Sequence, residues 1–183
     1  GLPLIDQDWI AASMTPEDQR LDSQHDRLEL SDQLVQELQD ADHILLSTPM
    51  YNFSVPASLK AWIDLVARAG KTFQYTEAGP QGLLQNKAVT IIVSTGGTPV
   101  NSDLDYLSGY LHQLFRFIGL DDISLIAADR MNIDPETSYQ NARAHIDRLF
   151  RSAEFLDMEL PLSKEALCEA VADTVRRNRL QQG

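Results

Sequence analysis

The chain has 183 residues, of which 43% are hydrophobic and 23% are charged, which is close to the average composition of globular domains. This length and balance predict one folded domain and exclude wholesale disorder. The formal net charge of −12 repels polyanions, so nucleic acid is a poor partner. No apolar stretch approaches the roughly 18 residues that a membrane span requires, so we expect a soluble protein. The single cysteine, Cys168, excludes an intrachain disulfide and favours a reducing, cytoplasmic environment.

Apolar residues recur along the chain at two alternating spacings, one typical of amphipathic helices and one typical of strands buried on both faces. Proline near a first turn and glycine after a last turn mark helix ends. In chain order we expect a loop over residues 1–21, a helix over 22–39, a strand over 43–47 that ends at Pro49, a helix over 56–70, a loop over 71–82 in which 72–75 pair briefly, a strand over 87–93, a helix over 103–118, a strand over 122–127, a helix from Pro135 that Pro161 breaks, and a last helix over 163–180.

Each predicted helix has one apolar face that we expect to be buried. The inward residues are Leu28, Ser31, Val35 and Leu38 in the first helix, Leu59, Trp62, Ile63 and Val66 in the second, Leu104, Leu107, Leu111, Leu114, Phe115 and Ile118 in the third, Ala142, Ile146, Leu149 and Phe150 in the fourth, and Leu167, Val171 and Val175 in the last. We expect Ser163 to cap the last helix at its amino end.

Long helices between the strands predict how those strands pair. A parallel pair needs a crossover of a dozen or more residues, and the predicted helices provide such crossovers. The fold class is therefore predicted to be α/β, with a doubly wound parallel sheet in a three-layer α/β/α arrangement. Ligands of such sheets bind outside the carboxyl ends of the strands, which here are residues 49–55, 94–98 and 128–133. These three loops are therefore the expected ligand-binding region.

The first of these loops combines aromatic, thioether and amide side chains. Its sequence is Pro49, Met50, Tyr51, Asn52, Phe53. Aromatic and thioether groups offer apolar contact to a planar ring, and an amide matches the donors and acceptors of a heterocycle. The same side chains also suit plain packing between a strand and a helix. Composition alone leaves both interpretations open.

The second loop brings two consecutive glycines to the end of the next strand. Its sequence is Ser94, Thr95, Gly96, Gly97. Without side chains, the backbone can approach a ligand closely, and its N–H groups can bind anionic or carbonyl oxygens. Glycine pairs also occur in ordinary turns, so this loop alone is a weak signal. Two such loops at neighbouring strand ends favour a binding site.

A longer pattern extends these two loops along the chain. Its residues are Pro49-Met50-Tyr51-Asn52-Phe53, Pro56, Leu59-Lys60, Ile63-Asp64, Arg68-Ala69-Gly70, Thr72-Phe73, Tyr75, Gly79-Pro80, Gly82-Leu83 and Lys87. With the second loop, this pattern resembles the FMN-dependent NADH-azoreductase family of flavodoxin-like quinone reductases. The resemblance extends from about Pro3 through Leu149. It implies a flavodoxin-like FMN-binding domain over residues 1–150 and a C-terminal helical extension over residues 151–183.

The resemblance implies a cofactor, a reaction and an assembly. FMN would lie against Pro49, Met50, Tyr51, Asn52 and Phe53, and its pyrimidine side would contact Ser94, Thr95, Gly96 and Gly97. NADH would pass a hydride to FMN and leave, and a quinone or an aromatic azo compound would then take the two electrons. The flavin carries the chemistry, so no catalytic side chain and no metal is implied. In the implied homodimer, Phe73 and Tyr75 would cover the partner's flavin, with packing within their own hairpin as the alternative.

Two features depart from the family pattern. The second loop usually reads Ser-Arg-Gly-Gly, and Thr95 stands where that arginine would be, which removes a positive charge near the flavin. Family members also begin with a strand, a serine-rich phosphate-binding loop, a helix and a second strand, which residues 1–21 do not supply. Because the first strand of that unit would lie in the middle of the sheet, its loss would expose an apolar edge. We therefore hypothesise an N-terminal extension that is absent from this chain.

Two other functions stay open at this level. A non-enzymatic electron carrier of the flavodoxin type also has an acidic surface and binds FMN in such loops, but it does not oxidise NADH directly. An inactive fragment without the phosphate site is the other alternative. The four histidines lie far apart in the sequence and are interpreted as structural.

Overall fold

Helices and strands alternate through the residues that the computed structural model describes, which are 1–155, 160 and 162–180. The order is α1 Gln7–Met14, a 3₁₀ turn Glu17–Gln19, α2 Asp22–Asp40, β1 His43–Pro49, α3 Ala57–Val66, β2 Phe73–Thr76, β3 Gly79–Gly82, β4 Ala88–Ser94, α4 Ser108–Phe117, β5 Ile123–Ala128, α5 Pro135–Phe155 and α6 Lys164–Leu180. The predicted break at Pro161 lies outside the described residues. No helix in the described part has the length and apolarity of a membrane span.

The chain divides into two compact units. Unit 1 contains Gly1–Ala41, Ala57–Lys87 and Leu114–Asp121, and unit 2 contains Asp42–Pro56, Ala88–Gln113 and Asp122–Gly183. The three predicted loops at the strand ends all belong to unit 2.

Unit 2 is built on a three-stranded sheet in the order β1-β4-β5, and both strand pairs are parallel. This confirms the predicted parallel sheet. The register pairs Pro49 with Ser94, and Ser94 with Ala128. All three strands therefore end side by side, and the loops that follow them leave from one edge of the sheet.

The two faces of β1 are less covered than the sequence pattern suggests. In the central strand β4 the residues from Val89 onward are buried, whereas in β1 only Ile44 and Thr48 are, and Leu45 is 38% exposed. The prediction that β1 is buried on both faces is therefore wrong. Within the residues present, β1 has a neighbouring strand on one side only, so its side chains have flanking residues from β4 alone.

Helices α5 and α6 complete the core of unit 2. Helix α5 packs on β5, helix α6 packs on β4 and β1, and the two helices contact each other. The shared core contains Ile92, Ile126, Ala128, Met131, Ala142, Ile146, Leu167, Val171 and Val175. The predicted inward faces of these two helices are confirmed. The Ser163 Oγ accepts a hydrogen bond from the Ala166 N–H (3.1 Å), as expected for an N-cap.

Unit 1 begins with a helix where the sequence analysis expects a loop over residues 1–21. Helix α1 is capped by Asp6, whose Oδ1 accepts a hydrogen bond from the Trp9 N–H (2.9 Å). Trp9 and Ala12 are buried in a cluster with Leu28 and Leu65. The prediction of a loop is therefore wrong. A helix of eight residues is marginal by itself, so its stability comes from packing on α2, which the local pattern does not reveal.

Helix α3 ends at Val66, four residues before the expected stop at Gly70. The Thr72 hydroxyl donates to the Val66 carbonyl (2.7 Å), which closes the turn that follows. The buried Arg68 donates from Nη1 to the Ser31 Oγ (2.6 Å), and the same nitrogen lies 3.2 Å from Asp32 Oδ1. Arg68 is thus a structural residue that joins the end of α3 to α2.

Strands β2 and β3 form an antiparallel hairpin, which confirms the expected pairing near residues 72–75 and extends it. The end of this hairpin lies against the end of α4. A Cβ atom added to Gly82 would stand 2.1 Å from the Gly119 backbone nitrogen, and Gly119 itself has a φ of +103°. This close approach between two backbones requires glycine at both positions.

Candidate active site

Backbone hydrogen bonds join the three loops at the carboxyl edge of the sheet. The Met50 N–H donates to the Ser94 carbonyl (2.8 Å), and the Thr95 N–H donates to the Ala128 carbonyl (3.3 Å). These bonds continue the strand register past the last strand residues. Loop 1 (residues 49–56), loop 2 (residues 94–107) and loop 3 (residues 128–134) therefore form one continuous surface in unit 2.

A tight turn gives loop 1 its shape. The N–H and carbonyl groups of Tyr51 bond to the carbonyl and N–H groups of Ser54 at 2.9 and 3.0 Å. Asn52 and Phe53, between them, have φ values of 47° and 70°. A left-handed conformation costs a non-glycine residue about 1–2 kcal/mol. The turn leaves Asn52 exposed and Phe53 49% exposed, whereas Met50 is buried.

The exposure of loop 1 bears on the two interpretations that its composition left open. Met50 packs into the protein interior, and burial raises the pKa of the Tyr51 hydroxyl above its ordinary value. The Asn52 and Phe53 side chains do not pack in the interior. The free-energy cost of their left-handed backbone is therefore not explained by a packing role. Strained residues that present exposed side chains are typical of ligand-binding loops.

Loop 2 is held from inside by the Thr95 side chain. Its hydroxyl oxygen accepts a hydrogen bond from the Arg130 N–H (2.9 Å) and donates one to the Thr98 carbonyl. The Met131 and Asn132 N–H groups donate to the carbonyls of Thr95 (3.0 Å) and Gly96 (2.9 Å). Loops 2 and 3 are thus firmly joined, and the Thr95 side chain is fully engaged within the protein.

The glycine pair of loop 2 keeps its donors available. Within the described residues, no protein group accepts a hydrogen bond from the Gly96 or Gly97 N–H. A Cβ atom added to Gly97 would meet only the Ile133 Cδ1, at 4.0 Å, and Gly97 does not have a positive φ. Neither the backbone conformation nor crowding by the protein therefore requires glycine here. The open space beside Gly97 is suited to a ligand that accepts hydrogen bonds from these N–H groups.

Asp105 organises the second half of loop 2. Its carboxylate accepts hydrogen bonds from the backbone N–H groups of Asn101 (2.7 Å), Leu107 (3.0 Å) and Ser108 (2.9 Å). Burial raises the pKa of Asp105, but the hydrogen bonds, first those of Ser108, outweigh burial and hold the pKa below its ordinary value. Helix α4 therefore begins at Ser108 rather than at residue 103. The expectation that Leu104 faces inward is wrong, since this side chain is 54% exposed outside the helix.

Apolar side chains are exposed around these loops. They are Phe53, Leu104, Tyr106 and Ile133. The Tyr106 N–H donates to the Phe53 carbonyl (3.1 Å), so these two residues are neighbours, and Ile133 lies beside Gly97. The strand pattern predicted loop 3 as part of the ligand-binding edge, but no local signal indicated its individual residues or Tyr106. Asp105 was detectable, because an aspartate three residues before a helical pattern is a capping signal.

The other two predicted site residues, Phe73 and Tyr75, lie on β2 in unit 1. Phe73 is buried and contacts the rings of Tyr75 (centroids 5.6 Å apart) and Phe117 (4.4 Å). Tyr75 is exposed over three quarters of its surface. Packing against Tyr75 and against Phe117 of α4 accounts for the burial of Phe73, whereas most of the Tyr75 surface remains exposed. The structure therefore brings the nine residues of loops 1 and 2 together in unit 2 and places these two in unit 1.

The planar, polar-edged ring system of FMN fits the arrangement in unit 2. The ring needs apolar contact on its face, which Phe53 and Tyr106 offer, and hydrogen-bond donors at its pyrimidine edge, which Gly96 and Gly97 offer. Asn52 adds an exposed amide. No group of three or more histidine, cysteine, aspartate or glutamate side chains among the described residues is arranged to hold a metal ion.

Comparison with known proteins identifies the class to which this fold and site belong. Residues 1–150 match the family model for the flavodoxin-like fold. The FMN-dependent NADH:quinone oxidoreductase 1 of Hahella chejuensis is 51% identical over 146 residues, which cover 80% of this chain and 72% of that protein. The enzyme of the same name from a Jannaschia species is 47% identical over 149 residues, covering 81% and 78%. The chain belongs to this flavodoxin-like family of FMN-dependent NADH:quinone oxidoreductases.

Solved structures agree with this assignment. An FMN-dependent NADH-azoreductase from Bacillus anthracis, solved in complex with FMN, is 27% identical with a TM-score of 0.71, covering 85% of this chain and 76% of that one. The azoreductase AzrA has a TM-score of 0.73 at 23% identity, which shows the shared fold. The predicted fold class and family are confirmed. The individual site residues stay a prediction.

Proposed function

We propose that this chain transfers electrons from NADH through bound FMN to quinones and to aromatic azo compounds. The observation that carries the proposal is the pair of N–H donors at Gly96 and Gly97, to which no described protein group is bonded, on the same strand-end surface as the exposed side chain of Phe53. The names of the relatives specify FMN, NADH and quinone, and the azoreductase solved with FMN extends the class of acceptors to azo compounds. When bound, FMN supplies the chemistry, since its ring accepts a hydride from NADH and passes two electrons to the acceptor.

The protein residues bind and orient the cofactor ring in this proposal. Gly96 and Gly97 donate hydrogen bonds to the pyrimidine edge, where preorganised N–H groups stabilise negative charge. Asn52 holds the opposite polar edge. Phe53 and Tyr106 cover apolar ring surface and exclude water. The remaining predicted contacts, which are Pro49, Met50, Tyr51, Ser94 and Thr95, shape the two loops from within the protein, as the buried Met50 and the engaged hydroxyl of Thr95 support.

The assembly and location of the protein are further parts of the proposal. We propose a cytoplasmic homodimer in which Tyr75 reaches the partner's flavin, and the exposed ring of Tyr75 supports this role. Phe73 would support Tyr75 through their edge-to-face contact. We also propose that residues 151–183 are an extension of a flavodoxin-like domain over residues 1–150.

The function is tested by an FMN titration of the purified chain, followed by additions of NADH and then menadione. We expect the visible absorbance of bound flavin to bleach with NADH and to recover with the quinone. Bound flavin that NADH does not bleach would instead identify a non-enzymatic electron carrier. The absence of FMN binding would contradict both functions and favour the inactive fragment.

An Asn52→Ala variant tests the proposed role of loop 1. We expect weaker FMN binding and slower bleaching by NADH, because one edge of the ring loses its hydrogen bonds. Asn101→Ala is a suitable comparison, since Asn101 is also an exposed asparagine with a positive φ (61°). Unchanged FMN affinity and turnover in Asn52→Ala would contradict the role of this side chain.

A further inference from the structure

Loops 1 to 3 contain a single basic residue. Residues 49–56 have no charged side chain, and residues 94–107 have only acidic ones. Residues 128–134 contain Arg130. The acidic residues of these loops are Asp103, Asp105, Asp129 and Asp134. Any negative charge that develops at this edge of the sheet therefore has one nearby cation in the loops themselves.

Most of the neighbouring carboxylates are already engaged by the backbone. Asp105 accepts three N–H groups, Asp129 Oδ2 accepts the Val100 N–H (2.8 Å), and Asp134 Oδ1 accepts the Thr137 N–H (3.2 Å). Hydrogen bonds from Thr137 are the main reason why the pKa of Asp134 is lowered, and the charge of Arg130 contributes less. Among the described residues, the exposed Arg130 guanidinium has no carboxylate within 4.0 Å. Its charge is thus available to a ligand.

The backbone of Arg130 is held in a conformation that arginine rarely adopts. Its φ is +56°, in the left-handed region that favours glycine. Three hydrogen bonds hold it there: its N–H donates to the Thr95 Oγ1 (2.9 Å), and its carbonyl accepts from the N–H groups of Ile133 (2.8 Å) and Asp134 (3.1 Å). Because one of these bonds is made with loop 2, the backbone of Arg130 is fixed to Thr95, the residue that precedes Gly96 and Gly97. A strained residue fixed in this way is typical of functional sites.

The hydrogen bond between Arg130 and Thr95 involves the position at which the sequence departs from the family pattern. Thr95 stands where the family pattern has an arginine, so loop 2 lacks a positive charge. The Thr95 hydroxyl accepts a hydrogen bond from the backbone N–H of Arg130, so the cationic residue of loop 3 is attached to the position at which loop 2 has no charge.

We infer that Arg130 stabilises the negative charge that the bound FMN ring gains on reduction. This inference rests on the proposed function. NADH loses a hydride and becomes NAD⁺, and the ring that receives the hydride gains two electrons and one proton, so its net charge becomes more negative by one. In the proposed binding mode that charge would lie at the pyrimidine edge, to which the Gly96 and Gly97 N–H groups would donate. A guanidinium near this edge favours the reduced form over the oxidised form and raises the reduction potential.

The test compares the reduction potential of bound FMN in four variants. In Arg130→Gln we expect reduced FMN to lose about tenfold more affinity than oxidised FMN, which lowers the two-electron potential by about 30 mV. Arg130→Gly removes the cation and also relieves the backbone strain of the positive φ. Comparison with Arg130→Gln, which removes the cation only, therefore separates the effect of charge from the effect of strain. We expect the same lower potential with an equal or higher melting temperature. Arg130→Lys retains the charge and should stay near the wild-type potential.

Arg143→Gln is the matched control, since it removes one exposed arginine from α5 in the same unit. We expect its potential to equal that of the wild type. If Arg130→Gln and Arg130→Gly also keep the wild-type potential while FMN binds and NADH reduces it, the inference is wrong and the proposed function stands. If the wild-type chain binds no FMN, the proposed function fails, and the inference fails with it.

Discussion

Single residues at the carboxyl edge of the sheet adopt conformations and exposures that packing alone does not favour. Asn52, Phe53 and Arg130 all have positive φ values without being glycine. At Gly97, in contrast, neither the backbone conformation nor steric crowding requires glycine, because φ is not positive and the space around the residue is open. In Asn52, Phe53 and Arg130 the backbone is strained and the side chain is exposed. Gly97 has no side chain, so its backbone is accessible. Both deviations are expected where a ligand supplies the missing contacts.

The Gly97→Val substitution tests the open space beside the second loop. The Cβ of the added side chain would meet only the Ile133 Cδ1, at 4.0 Å, so we expect little change in melting temperature, but the side chain enters the volume proposed for the flavin. We therefore expect FMN affinity to fall by at least about tenfold, which corresponds to roughly 1.4 kcal/mol. Titration of FMN by fluorescence quenching measures the affinity. Gly109→Val, at another glycine with no atom within 4 Å, is the control and should bind FMN normally.

At the scale of elements, polar contacts join α6 to the carboxyl half of the sheet. Ser47 and Thr174 share a hydrogen bond, and the Asn178 Nδ2 donates to the Ser94 Oγ (3.2 Å). Asn178 is almost completely buried, and its Oδ1 has no partner among the described residues. Helix α6 lies beyond residues 1–150 that match the family model, yet it contacts a residue of loop 2 directly. Helix α6 is thus a packed part of unit 2.

The contact between β3 and the end of α4 depends on two glycines, and Gly82→Ala tests it. The added methyl group would stand 2.1 Å from the Gly119 nitrogen, and backbone atoms cannot yield as a flexible side chain does. We expect a loss of about 3 kcal/mol or more in the free energy of unfolding, measured by urea denaturation. Gly109→Ala adds the same group in open space and should be neutral or slightly stabilising. Equal stabilities of the two variants would contradict this close approach.

At the scale of the whole molecule, two partly buried histidines make stability depend on pH. Burial lowers the pKa of His43, against an opposing effect of Asp122, and burial followed by the charge of Arg148 lowers the pKa of His145. His43 Nε2 lies 3.0 Å from the Thr90 hydroxyl. In both cases the folded state favours the neutral ring. Below the ordinary value of 6.5, the unfolded chain therefore binds more protons than the folded chain.

We therefore expect the free energy of unfolding to fall as the pH is lowered from about 7.5 to about 5.5. The aspartates with lowered pKa values contribute little to this change, because they remain ionised over the whole range. Urea denaturation at several pH values measures the slope. The double variant His43→Gln, His145→Gln should have a flatter profile than the wild type. A profile that keeps the wild-type slope would contradict the assignment to these two residues.

The sequence predicted the elements whose pattern is local and repeated. The strands over residues 43–49 and 88–94 and helix α2 each have enough periodic apolar residues to be recognised without their neighbours. The same reasoning failed for α1, which is short and depends on packing against α2, and for the start of α4, where the bonds of Asp105 decide the boundary. For the site, strand ends and glycine pairs indicated loops 1 and 2. The positions of Arg130, Tyr106 and Ile133 depend on contacts between loops far apart in the sequence.

The sequence by itself determined the class of this protein, because the order of helices and strands, the parallel sheet that this order requires and the motif from Pro49 onward are all properties of the chain read in one direction. Only the tertiary structure decided which side chains and N–H groups remain available at the edge of that sheet. The hydrogen bond from the Arg130 N–H to the Thr95 hydroxyl joins positions 35 residues apart. Such a bond forms only when the strand register brings both loops to one edge. The groups that are available to a ligand are those that make no contact within the protein. A local sequence pattern cannot identify them, because the internal contacts join distant parts of the chain.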